Sequence, residues 1–208
     1  MYSCIQLSTL NIHPKINDIS LDLLREYYET YLNQYEYHYK IIDGTEQIDI
    51  KLRFDKENFC HLLGIESIVK QNINRNVLYN YKGMQGWENI KSGTLNFYVL
   101  KRVNKKRFNN VKDKFVFFYL IPNLIKSPKA IYFDNKKVLP CTNIECEILF
   151  FYEYDKLILH LGIEPNADNT YYIPRTFLIE RINQNNDGLK YINNQQIISV
   201  EVKNKIKL

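Results

Sequence analysis

Apolar residues recur at helical spacing early in the chain and at alternate positions later, and the change of period marks out its elements. In SLDLLREYYETYLNQY the positions Leu24, Tyr27, Tyr28, Tyr31, Leu32 and Tyr35 follow one helical face, with Ser20 placed to cap the start. The runs YEYHYKII and EQIDIKLRF alternate and flank IDGTE, which predicts a β-hairpin. Within it Tyr35, Tyr37 and Tyr39 share one face and Glu36, His38 and Lys40 the other, so His38 reads as a solvent-facing strand residue. DKENFCHLLGI then reads as a short helix, with Asp55 as its cap and Gly64 at its end.

Residues 66–125 are mostly helical in pattern, with a turn at YKGMQGWENIKSG. From residue 129 the pattern changes to strands: KAIYFD, EILFFYEYD, KLILHLGIE, YYIPRTFLIERI and QQIISVEVKNKI, divided by turn-forming residues. EILFFYEYDKLILHLGI predicts a second hairpin around Tyr154–Lys156, although it lacks an Asn-Gly turn. No repeat and no Gly/Ser- or Pro-rich linker interrupts the chain, so one domain is expected over residues 1–208. Its parts are a helix and hairpin lead-in (1–54), a mostly helical stretch (55–125) and a sheet (129–208). The expected class is α+β, a helical N-terminal half packed on a mainly antiparallel C-terminal β-sheet.

Composition narrows the chemistry only slightly. At 208 residues, 45% apolar and 25% charged, the chain can bury a core and does not read as disordered. A net charge of +5 is modest and favours nucleic acid over acidic partners. The densest positive cluster is in LNFYVLKRVNKKRF, with Lys101, Arg102, Lys105, Lys106 and Arg107. No apolar run reaches the ~18–20 residues that a bilayer span needs, so no membrane is expected. MYSCIQLSTLNIHPK lacks a basic start leading into an apolar stretch, so no signal peptide is expected either. CTNIEC brings Cys141 and Cys146 near each other in sequence without nearby histidines. Reduced, buried thiols in a cytoplasmic protein are therefore expected rather than a zinc site, with no metal or cofactor.

Two histidines share a local signature, HLLGI at His61 and HLGI at His160. A histidine beside leucines is commonly a core residue. Imidazole also titrates near neutrality, and a pair brought together can supply a base and an acid. In YYIPRTFLIER, strand alternation gives Arg175 the same face as Phe177 and Ile179. An arginine there serves either an ion pair, with Glu180 or Glu153, or a phosphate whose oxygens it would hold. Pro174 is expected to disturb the strand and re-aim its neighbours. Cys60 and His61 project in different directions and make a poor dyad. YKGMQGW fits neither a P-loop nor a dinucleotide fingerprint, which excludes nucleotide-dependent phosphoryl transfer on those motifs.

FCHLLGI, the stretch LKRVNKKRFNNVKDKF leading to KAIYFD, and YYIPRTFLIE together resemble the phage-associated branch of the Barnase–EndoU–colicin–RelE-like nucleases, in particular its fourth group. The similarity spans residues 50–182. The resemblance implies a small antiparallel sheet with preceding helices and metal-independent RNA cleavage. It further implies a toxin or antiphage role, with an antitoxin or immunity protein as a partner beside the RNA substrate, tRNA or mRNA. Carried over by motif, the implied site holds His61, Arg175 and Thr176, with His160 added from its matching signature. RNA supplies its own nucleophile, the 2′-hydroxyl, so a base, an acid and a cationic clamp suffice. Lys101, Arg102, Lys105 and Arg107 are the expected backbone-tracking residues. The alternative is a non-catalytic nucleic-acid-binding or protein-interaction subunit of a phage-defence or phage-encoded system.

Overall fold

Ser20 caps the first long helix as its position predicts, its hydroxyl accepting from the Leu23 N–H at 3.0 Å. The computed structural model describes residues 2–208 and gathers them into two units. The first comprises the chain up to Gln34 together with Phe54–Leu120, and the second comprises Tyr35–Arg53 and Ile121–Leu208.

The first unit contains α1 (Cys4–Ser8), α2 (Leu21–Tyr28), α3 (Phe59–Leu62), α4 (Ile65–Val69), α5 (Gly83–Lys91) and α6 (Phe97–Phe117). The helical stripe after Ser20 buries Leu21, Leu24, Tyr27 and Tyr28, and the helix ends in a π turn over Glu29–Asn33. Aromatic rings fill the centre: Tyr28 lies 5.2 Å from Phe59 and 5.9 Å from Trp87, and Phe59 lies 5.7 Å from Phe118. Each such ring contributes about 1.5–3 kcal/mol by leaving water. Gly64 separates α3 from α4 with φ +70°, a left-handed conformation that glycine adopts without steric cost, so the short helix ends where FCHLLGI predicts.

The second unit holds α7 (Ile121–Lys126) and all the strands: β1 (Tyr35–Asp43), β2 (Glu46–Arg53), β3 (Lys129–Tyr132), β4 (Ile148–Tyr154), β5 (Leu157–Pro165), β6 (Tyr172–Arg181) and β7 (Gln196–Lys207). Both predicted hairpins form. β1 pairs antiparallel with β2, and β4 with β5 around Asp155, which takes φ +50° in place of an Asn-Gly turn. Where the sequence predicts a sheet of the C-terminal strands alone, the observed sheet takes in the N-terminal hairpin and closes. The hairpin bonds to β7 on one side and β6 on the other, closing the barrel β1-β2-β6-β5-β4-β3-β7. Closure leaves no free edge. All pairings are antiparallel except β2 with β6, which meet in parallel at Leu52 and Tyr172.

Strand alternation sorts the side chains. Tyr39, Ile41, Phe150, Leu161, Phe177 and Ile198 are buried on the inner face, and the Tyr39 hydroxyl donates to the Ile125 carbonyl of α7 at 2.8 Å. The opposite face of β3–β5 is also dry: Ile131, Leu149, Phe151 and Ile158 pack with Val138 and Tyr191 from the connecting loops. β5 is therefore buried on both faces, as its near-continuous apolar run requires.

Candidate active site

The outward face of β1 carries Glu36, His38 and Lys40, and its cross-strand partners concentrate charge there. Arg53 stands opposite Glu36, and Lys51 opposite His38 on β2; Asn204 stands opposite His38 on β7. The β1–β7 ladder shifts here, His38 pairing with Asn204 and Tyr39 with Val202, so Lys203 is the extra residue of a bulge. Bulges re-aim side chains, and this one adds a second lysine beside the histidine.

Glu36, His38 and Arg53 form a connected group. The His38 Nε2 and a Glu36 oxygen, Oε1, are 2.6 Å apart. Arg53 donates from Nε and Nη2 to the other oxygen, Oε2, each at 2.6 Å. Arg53 also lies over the Tyr171 ring, 4.6 Å from its centroid. Glu36 is buried at 6% exposure although it lies on the outward face. Burial alone pushes its carboxyl up, but the hydrogen bonds from Arg53 and His38 outweigh that and hold it below the usual range. The His38 side chain keeps 24% of its surface exposed. It lines a cleft of about 450 Å³ with Lys40, Asp49, Lys51, Lys203 and Asn204. A carboxylate orienting an imidazole beside cations is an acid–base arrangement with phosphate-binding groups at hand.

The residues expected from motifs are distributed differently. His61 is exposed on α3 in the first unit, turned to solvent while Cys60, Leu62 and Leu63 are buried. His160 is fully enclosed on β5 in the second unit, its ring 5.4 Å from that of Tyr191, with neither nitrogen hydrogen-bonded. Burial pushes its pKa down to about 3, so it is neutral and out of reach of a substrate in this structure. The shared HLLGI and HLGI signatures thus sit in unlike surroundings, one on a helix surface and one within a two-sided strand.

Arg175 does not share the apolar face with Phe177. Gly162 pairs with Thr176 and Ile163 with Pro174, which leaves Arg175 as the extra residue of a bulge and turns it outward. Pro174 marks that irregularity, as its sequence position suggests. Arg175 Nε lies 3.4 Å from Glu164, whereas Glu180 and Glu153 are engaged by Asn186 and Lys129. Thr176 packs its methyl over Gly162. On α6, Lys101 and Arg102 precede and Lys105 and Arg107 follow a break in the helical path at Asn104, and Arg107 donates to Gln71 at 3.3 Å. Among the described residues no cluster of three or more His, Cys, Asp or Glu side chains is placed to hold a metal ion, and no helix is long and apolar enough to cross a membrane.

Alternation placed Glu36 and His38 on one face of a predicted strand, two residues apart, and that was the available signal. Arg53 and Lys51 face them across the predicted hairpin, whose turn sets the register, but nothing in the chain order identified Lys203, which a bulge on a strand distant in sequence supplies. Over residues 25–208 the chain matches the family described as phage-Barnase-EndoU-ColicinE5/D-RelE like nuclease4, a span that includes the Glu36–His38–Arg53 group and the motif residues alike. No curated protein and no solved structure matches the chain.

Proposed function

The chain belongs to the phage-Barnase-EndoU-ColicinE5/D-RelE-like nuclease 4 family, and from that premise we propose that it is a metal-independent endoribonuclease acting as a toxin or antiphage effector. The observation that carries this reading is the His38 ring held 2.6 Å from a buried carboxylate, itself held by Arg53, at a cleft lined by Lys51 and Lys203. With Nε2 engaged by Glu36, Nδ1 is the nitrogen left to accept the 2′-hydroxyl proton. As the 2′-oxygen bonds to phosphorus, the bond to the 5′-oxygen breaks and water protonates that oxygen. The products are a 2′,3′-cyclic phosphate and a 5′-hydroxyl, and the imidazolium returns its proton to solvent. Lys51, and Lys203 on leaving its 2.7 Å ion pair with Glu201, supply positive charge for the non-bridging oxygens, and Glu36 and Arg53 position the ring.

His61, Arg175 and Thr176 are the competing assignment, carried by motif. Incubating RNA with the protein in chelator decides between them. Wild type should leave cyclic phosphate ends, and His38→Ala should lower kcat by about 10²–10⁴, the usual contribution of a positioned acid–base group. Cleavage by His38→Ala at the wild-type rate overturns the His38 site, and loss in His61→Ala or Arg175→Ala instead moves the chemistry to the motif residues. RNA left intact by wild type favours the non-catalytic binder, for which the Glu36–Arg53 pairing is purely structural. Harmless high-level expression of wild type in bacteria counts against the toxin role.

A further inference from the structure

The helix α6 carries charge that the chemistry at His38 does not use. Between Phe97 and Phe117 it holds seven lysines and arginines against one carboxylate, Asp113. A solvated helix face usually sets acids three or four residues from its bases. Here Lys101, Arg102 and Lys105 have no ion-pair partner among the described residues.

Tyr98 stands in the same stretch with 72% of its surface exposed. Spacings of three and four residues put Tyr98, Lys101 and Arg102 on one face. The Lys101 ammonium is 5.0 Å from the centre of the Phe108 ring, which restrains it. At Asn104 the backbone leaves helical geometry (φ −158°, ψ 91°), and Lys105 follows, exposed. The stretch thus pairs an open aromatic ring with a run of uncompensated cations, which is chemically complementary to an unpaired base on a phosphate backbone.

We propose that this stretch of α6 binds single-stranded RNA, Tyr98 stacking on a base while Lys101 and Arg102 beside it and Lys105 just past the kink hold phosphates. The choice of RNA rests on the ribonuclease reading; the preference for a single strand comes from Tyr98, since a paired base offers no free face to a side chain. A protein partner of acidic surface would engage the same cations but gain nothing specific from the ring.

Binding is measured on the full chain carrying His38→Ala, by anisotropy of a labelled mixed-sequence RNA strand and of its duplex, across a salt series. Tyr98→Ala should weaken single-strand binding by about 5- to 100-fold, the range of one base–aromatic stack, and leave duplex binding nearly unchanged. Tyr98→Phe should retain the affinity. Replacing Lys101, Arg102 and Lys105 together by Gln should lower the slope of log affinity against log salt by about 2, at roughly 0.7 per phosphate contact. Single-strand affinity unmoved by Tyr98→Ala, or an unchanged slope in the triple variant, overturns the proposal. Cleavage by the otherwise wild-type chain is read separately. Tyr98-dependent binding without cleavage removes the nuclease reading and leaves this surface standing. Cleavage with Tyr98-independent binding removes this surface alone.

Discussion

At the scale of single residues, two buried polar groups on the strands of the barrel, Glu36 on β1 and His160 on β5, have opposite situations. Glu36 is satisfied by His38 and Arg53, and its pKa is lowered by them. That lowering stabilises the fold above the unfolded carboxyl pKa and is lost as pH falls through the folded value. Glu36→Gln should therefore cost about 1–3 kcal/mol at pH 7, the scale of charged hydrogen bonds. In urea melts that gap should close below about pH 4; a gap unchanged at acid pH would mean that the carboxylate charge is not what stabilises. His160 has no hydrogen-bond partner and a pKa of about 3 against an ordinary 6.5. Its unfolded form takes up a proton that the folded form refuses, so stability falls with pH from 6.5 toward 3. His160→Leu should flatten that decline by about 1.4 kcal/mol per pH unit, and parallel stability curves for the two proteins would refute it. The local sequence left both partly open: YEYHYK presented Glu36 and His38 as an ordinary polar face, and HLGI allowed either a core histidine or a reactive one at His160.

Among the elements, the two irregular strands do the most to place charge. Each bulge contributes a cation as its extra residue, Lys203 on β7 and Arg175 on β6. Beside the second bulge, Gly162 leaves room for neighbours that a side chain would strike: a Cβ there would lie 2.7 Å from both Cys146 Sγ and Thr176 Cγ2. Gly162→Ala should then lower stability by about 1–3 kcal/mol, as overpacking does, seen as a lower denaturant midpoint. An unshifted midpoint would show that the Cys146 loop yields freely. The elements themselves were well announced. Ser20, the alternating tyrosines of β1 and Gly64 mark boundaries by local chemistry, which acts within a few residues. The bulge at Arg175 was only hinted at, by Pro174, because a one-residue excess is defined by the partner strand.

For the whole molecule, the consequential feature is that residues 35–53 belong with residues 121–208 although helices of the first unit lie between them in sequence. β1 and β2 close the barrel between β7 and β6. A fragment of residues 121–208 would leave those strands with open edges, and it should aggregate or stay unfolded by circular dichroism and gel filtration. Adding the hairpin as a peptide of residues 35–53 should rescue it; a soluble, folded fragment without the peptide would show that closure is dispensable. The amino-acid sequence by itself determined the helices, the hairpins, the outward placement of Glu36 and His38, the basic stretch on α6 and the family, since each depends on local periodicity, local charge or motif. Only the tertiary structure decided that the sheet closes, that His160 is sealed while His61 is exposed, and that Lys203 joins Lys51 at the cleft beside His38. Those outcomes depend on register between strands distant in the chain, and the alternation within any one strand carries no information about which partner, at which offset, will face it.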